Sequence, residues 1–81
     1  MPATLRPSGA LRDVVGGQAE IQVEAGRTVR ETLAIIGIVP EVVALVVVNS
    51  PGSGSGEEQK TKDYVIQEGD VIRVLAVIGG G

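Results

Sequence analysis

The 81 residues contain no cysteine and no histidine. Without cysteine there is no disulfide framework, no thiolate zinc site, no iron–sulfur cluster and no thiol nucleophile. Without histidine the commonest general base and the commonest transition-metal ligand are gone. Aromatic rings are nearly missing too, Tyr64 being the only one. Seven basic against ten acidic side chains give a formal charge of −3, the wrong sign for a domain that holds nucleic acid by its phosphates. No apolar run approaches the roughly 18 residues that a membrane span needs; the longest is Val42–Val48. The first residues hold Pro2, Pro7 and Gly9 and no apolar h-region, so no signal peptide is expected and the expected location is cytoplasmic. Neither a self-sufficient enzyme nor a bound metal is expected from this inventory.

What is there is a chain able to fold as one domain. Hydrophobic residues make up 43%, so the core has to come from Val, Ile, Leu and Ala. A chain this short buries only about 60–65% of its unfolded surface, so good packing is required.

Ala3–Arg6 is expected as a first strand, ended by Pro7, which lacks a ladder donor. Ala10–Val15 is a short helical turn or an irregular bridge, and Gly16-Gly17 permits a reversal. Ala19–Glu24 alternates apolar and polar residues, a half-buried strand. Thr28-Val29-Arg30-Glu31 has the form of a capping box. Val29, Thr32, Leu33 and Ile36 then form one helical stripe, with Gly37 at the left-handed end position, predicting a helix over Val29–Ile36. Val42–Val48 is a β-branched strand without alternation; residues 50–58 form a flexible Gly/Ser loop; Glu57–Lys62 is polar and solvated. Asp63–Ile66 is a brief edge strand or turn, Gln67–Asp70 a turn, and Val71–Ile78 the last strand. Two strands, one helix and two or three further strands predict an α+β, β-grasp roll of residues 1–78. Its mixed sheet of four to five strands packs on one main helix, with the first and last strands parallel at the centre.

One helix covers one sheet face, and the other should be polar at alternate positions. Val42–Val48 and Val71–Ile78 break that rule. If Ile72, Val74 and Ala76 point inward, Val71, Leu75 and Val77 point out, with Arg73 the one polar residue among them. An exposed aliphatic patch on a small acidic domain reads as a partner surface. Gly79-Gly80-Gly81 ends the sequence as a slender tail without side chains, able to enter a channel too narrow for larger residues. Its chemistry would be that of a main-chain carboxylate, which needs activation before it can act as an acyl donor. Other polar candidates read as structural: Tyr64 packing with its hydroxyl at the rim, Asp63 and Asp70 in turns, and Glu57, Glu58, Lys60 and Lys62 solvated. Gly52, Gly54 and Gly56 lack the Gly-Lys-Ser/Thr context of a phosphate loop.

In order, the segments are Leu11-Arg12-Asp13 with Gly16-Gly17, Glu24 through Leu33 leading to Gly37-Ile38, and Val46-Val47-Val48-Asn49. Lys62-Asp63-Tyr64, Glu68-Gly69-Asp70-Val71-Ile72 and the final Gly80-Gly81 follow. The set resembles the ubiquitin-like sulfur carriers of the MoaD/ThiS family over nearly the whole chain. The sequence departs from that pattern at Pro7-Ser8, where an aromatic-Ala pair is usual, at Ser50, and in its third terminal glycine. The resemblance implies that a MoeB/ThiF-type enzyme adenylates the Gly81 carboxylate with ATP. Sulfur then replaces AMP to leave a thiocarboxylate, and no cofactor is bound by the chain itself. By position it makes Gly80 and Gly81 the functional tail and Arg73, Leu75, Val77, Ile78 and Gly79 the partner-binding residues. The Leu11–Gly17 segment leans toward MoaD, whose acceptor is the MoaE-like large subunit of molybdopterin synthase in molybdenum cofactor biosynthesis. A ubiquitin-like protein modifier, a carrier for thiamine, cysteine or tRNA thiolation, and an adaptor with an inert tail stay open beside it.

Overall fold

In a computed structural model, which describes residues 2–50 and 56–76, the expected capping box starts the main helix. The Glu31 N–H donates to Thr28 Oγ1 at 3.1 Å and the Thr28 N–H donates to Glu31 Oε1 at 2.9 Å, closing two of the donors that every helix start leaves open. Helix α2 then runs Val29–Ile36 and ends at Gly37, whose φ of 94° is the left-handed value that glycine adopts without strain. The shorter helix α1 spans Ala10–Val14. The strands are β1 Ala3–Pro7, β2 Ile21–Val23, β3 Val43–Asn49, β4 Glu57–Lys60 and β5 Val71–Ala76, with a 3₁₀ turn at Pro40–Val42.

The five strands form one mixed sheet in the order β2-β1-β5-β3-β4. Strands β1 and β5 are parallel at its centre and the other neighbours antiparallel. This is the expected α+β roll. Alternation assigns Ala3, Leu5, Ile72, Val74, Val46 and Val48 to the covered face, where they join Val29, Leu33, Leu11, Ile38 and Ile66 in one core. A register shift between Val43 and Leu45 re-aims β3, so that Val43 and Val46 are both buried. Among the described residues no helix is long and apolar enough to cross a membrane.

Three expectations change, and the Asp63–Ile66 segment, a brief edge strand or turn by its sequence, takes a definite form. Pro7 does not stop β1 but is its last, buried residue. Thr4 and Ser8 donate their N–H groups toward the β5 side, to Asp70 and Val74 carbonyls. The nitrogen of Pro7 therefore faces β2, where pairing has already ended at Leu5 and Ile21. The β2 pairing is half as long as the Ala19–Glu24 pattern suggests, because only Ala3–Leu5 lies opposite it. Glu57–Lys60 is solvated as expected, but it is an edge strand on β3, so the loop expected over 50–58 ends before Glu57; its charges suit an edge that must not recruit another strand. The segment Asp63–Ile66 contributes a single bridge, Val65 to Thr28, with Ile66 buried.

The two Thr28 hydrogen bonds, the backbone one first, hold the Glu31 carboxyl below its ordinary value of 4.5. A lowered carboxyl contributes stability above that value and loses it as the pH falls. Thr28→Ala is expected to cost about 1 kcal/mol in urea unfolding at neutral pH, and the penalty should shrink in acid below pH 4.5.

Candidate functional site

Strand β5 is held on both sides, by β1 and by β3, and leads the chain out to Ala76. Its start depends on Asp70, a turn residue in the sequence that proves to be fully buried. The Asp70 carboxylate accepts from the Tyr64 hydroxyl at 2.6 Å, the Ser50 hydroxyl at 2.7 Å and the Gln67 N–H at 2.9 Å. The Asp70 carbonyl also accepts from the Thr4 N–H at 2.8 Å. Tyr64 packs half-buried against the core, as the sequence suggests, and its hydroxyl is spent on the Asp70 carboxylate. Burial first, and then the bond to Asp70, push the Tyr64 hydroxyl above its ordinary value of 10.0. No spacing motif marks the Ser50–Tyr64–Asp70 group, since its members come from three separate segments. The Gly69-Asp70 turn before β5 is the one local hint.

Directly opposite residues of neighbouring strands share a face. On the face away from α2, Leu45 lies opposite Leu75, Val47 lies opposite both Gln59 and Arg73, and Arg73 lies beside Arg6. Val71 and Asn49 form the next row. Leu45, Val47, Val71 and Leu75 are half-buried rather than fully open. The predicted aliphatic patch exists, but Arg73 divides it, donating from Nη1 to both carboxylate oxygens of Glu57 at 2.9 and 3.2 Å. Two of the sequence-predicted partner residues, Arg73 and Leu75, thereby lie on this face. Val77, Ile78, Gly79, Gly80 and Gly81 lie outside the described residues, as does most of the Gly/Ser loop.

Three of the remaining candidates make ordinary side-chain contacts. Asp63 meets Arg30 at 3.4 Å, Lys60 lies 5.5 Å from the Tyr64 ring centre, and Glu57 serves Arg73. Among the described residues, no three acidic side chains converge as a metal would require. Sequence reasoning missed Arg6 and Arg12, which line an open cleft with Arg73. The alternation of β1 marks Arg6 as outward, but only the parallel pairing brings it beside Arg73.

No protein-family model matches this sequence. Among curated proteins, the sulfur carrier protein TtuB of Thermus thermophilus is 36% identical over 62 residues, which are 76% of this chain and 83% of the relative. Among solved structures, the crystal structure of SAMP1 from Haloferax volcanii matches with a TM-score of 0.60 and 19% identity over 100% of both chains. The solution structure of Urm1 from Trypanosoma brucei matches with a TM-score of 0.57 and 20% identity, over 99% of this chain and 95% of that one. At those identities the two structures speak for the fold alone.

Asp70→Ala would leave two hydroxyls and one N–H without their acceptor and is expected to cost about 3 kcal/mol. Tyr64→Phe removes one charge-assisted bond and should cost about half of that. A raised hydroxyl is neutral in the fold where the unfolded chain has begun to ionise. Its contribution is therefore complete below pH 10 and lost as the pH climbs through the raised value. Urea unfolding of the wild type should show this alkaline loss, and Tyr64→Phe should not.

Proposed function

The chain belongs to the ubiquitin-like sulfur carriers of the MoaD/ThiS type, and from that we propose that its reactive group is the main-chain carboxylate of Gly81. A carboxylate at neutral pH is a poor acyl electrophile. An activating enzyme of the MoeB/ThiF type joins it to AMP, consuming ATP and releasing pyrophosphate. Sulfide supplied by a sulfur donor then attacks the acyl carbon: a carbon–sulfur bond forms, the bond to AMP breaks, a proton is released, and Gly81 carries a thiocarboxylate. ATP belongs to the activating enzyme, and the carrier needs no cofactor of its own. The 36% identity to a sulfur carrier carries this reading.

The chain's own contribution is presentation. A strand anchored on both sides and a half-buried aliphatic face give partners a firm surface beside the outgoing chain. Gly79, Gly80 and Gly81 add a tail that no side chain widens. The acceptor in this reading is a MoaE-like large subunit of molybdopterin synthase. Support comes from the Leu11–Gly17 segment, which begins within helix α1 and resembles the MoaD-like carriers more than the compact thiamine ones.

Co-expression with an activating enzyme and a sulfur donor should yield a species whose intact mass shows one oxygen replaced by sulfur at Gly81. Absence of that species would contradict the proposal. Lysine conjugates that vanish on deletion of Gly80 and Gly81 would instead make the chain a modifier. Co-purification with the large synthase subunit is expected; its failure, with the thiocarboxylate present, would move the sulfur to another acceptor, as in thiamine, cysteine or tRNA thiolation.

A further inference from the structure

The pairing of β1 with β5 sets Arg6 and Arg73 side by side on the open face of the sheet. Like charges directly opposite one another destabilise a sheet. Each is partly offset by a glutamate on its outer side: Glu20 lies 3.5 Å from Arg6 Nε, and Glu57 lies 2.9 Å from Arg73 Nη1. Arg12, from helix α1, lines the same cleft of about 330 Å³ and is exposed, with no ion pair among the described residues. Pro7 and Ser8 also line it, and the Ser8 hydroxyl is already spent on the Val74 carbonyl at 3.0 Å. Three arginines against two glutamates leave the cleft positive on a chain whose formal charge is −3. A local arrangement that costs stability is what a binding site retains.

We propose that Arg6, Arg12 and Arg73 form a docking cleft for an acidic segment of the protein partner that activates this chain. The identity of that partner rests on the sulfur-carrier reading; the cleft does not. Guanidinium forks suit carboxylates, and Arg12 offers one with no ion-pair partner among the described residues. A protein fits better than a free anion, because the arginines border an apolar row. Val47 lies opposite Arg73, and the Leu45–Leu75 pair is the next row. A partner laid across this face covers the aliphatic rows while its carboxylates meet the arginines at their edge, the usual division between an interface core and its rim.

The test is steady-state pyrophosphate release by an activating enzyme of the MoeB/ThiF type, with sulfide present to displace AMP, at varied concentrations of this chain. R12E is expected to raise KM roughly tenfold with kcat little changed, and to flatten the salt dependence of kcat/KM. R12K should fall between R12E and wild type, and circular dichroism should show all three folded, because Arg12 is exposed. A KM and salt dependence for R12E equal to those of wild type would overturn the cleft while leaving the carrier reading intact. If wild type itself releases no pyrophosphate, the carrier reading fails, and the cleft is read by titrating an oligoglutamate peptide into isotope-labelled protein. Amide shifts centred on Arg6, Ser8, Arg12 and Arg73 that disappear in R12E support the cleft. No shifts, or equal shifts with an oligothymidylate, overturn it.

Discussion

The buried carboxylate of Asp70 is the constraint on which the arrangement of the sheet depends. Taking a carboxylate out of water costs several kcal/mol, and hydrogen bonds to a charged group return about 1.5–3 kcal/mol each. Asp70 receives three, from Tyr64, Ser50 and Gln67, so the burial is sustained only while all three segments are in place. Its main chain adds bonds to Thr4 and Gln67. The end of β3, the turn before β5, the start of β1 and the sole aromatic ring therefore meet at one residue. It stands immediately before β5, the strand that leads to the end of the sequence. A chain with few large hydrophobes gains, from one polar junction, the definition that a larger aromatic core would otherwise supply.

From that junction the two faces of the sheet divide the work. The face toward α2 holds the aliphatic core. The other face combines half-buried Leu45, Val47, Val71 and Leu75 with Arg6 and Arg73. The parallel pair of β1 and β5 produces both the rigidity of the central strands and the juxtaposition of like charges. Helix α1 adds a third arginine from outside the sheet. The core and the proposed docking face thus come from the same topology, on opposite sides of it.

Local chemistry was legible in the sequence wherever it was local. The capping box at Thr28, the stripe through Ile36 and the stop at Gly37 depend on neighbours within a turn or two, and the structure reproduces them. The parity of β5 was legible because a strand has a period of two. What escaped was set by distant residues. Glu57–Lys60 has no apolar alternation, and β3 alone makes it a strand. Pro7 stays in β1 because β2 stops short of it. Asp70 looked like an ordinary turn residue, since nothing in its neighbourhood announces Ser50 twenty positions earlier. Arg6 becomes a candidate only when pairing places it beside Arg73, and Arg12 only because helix α1 brings it to the same cleft.

In the proposed function the reactive group is the main-chain carboxylate of Gly81 and partners carry out the chemistry, so no cysteine or histidine of the chain is required. That claim is tested most directly by exchange of radiolabelled pyrophosphate into ATP, catalysed by the activating enzyme in the presence of this chain. The account predicts exchange with the free Gly81 carboxylate and none when the same chain ends in an amide. Equal exchange with both would contradict it.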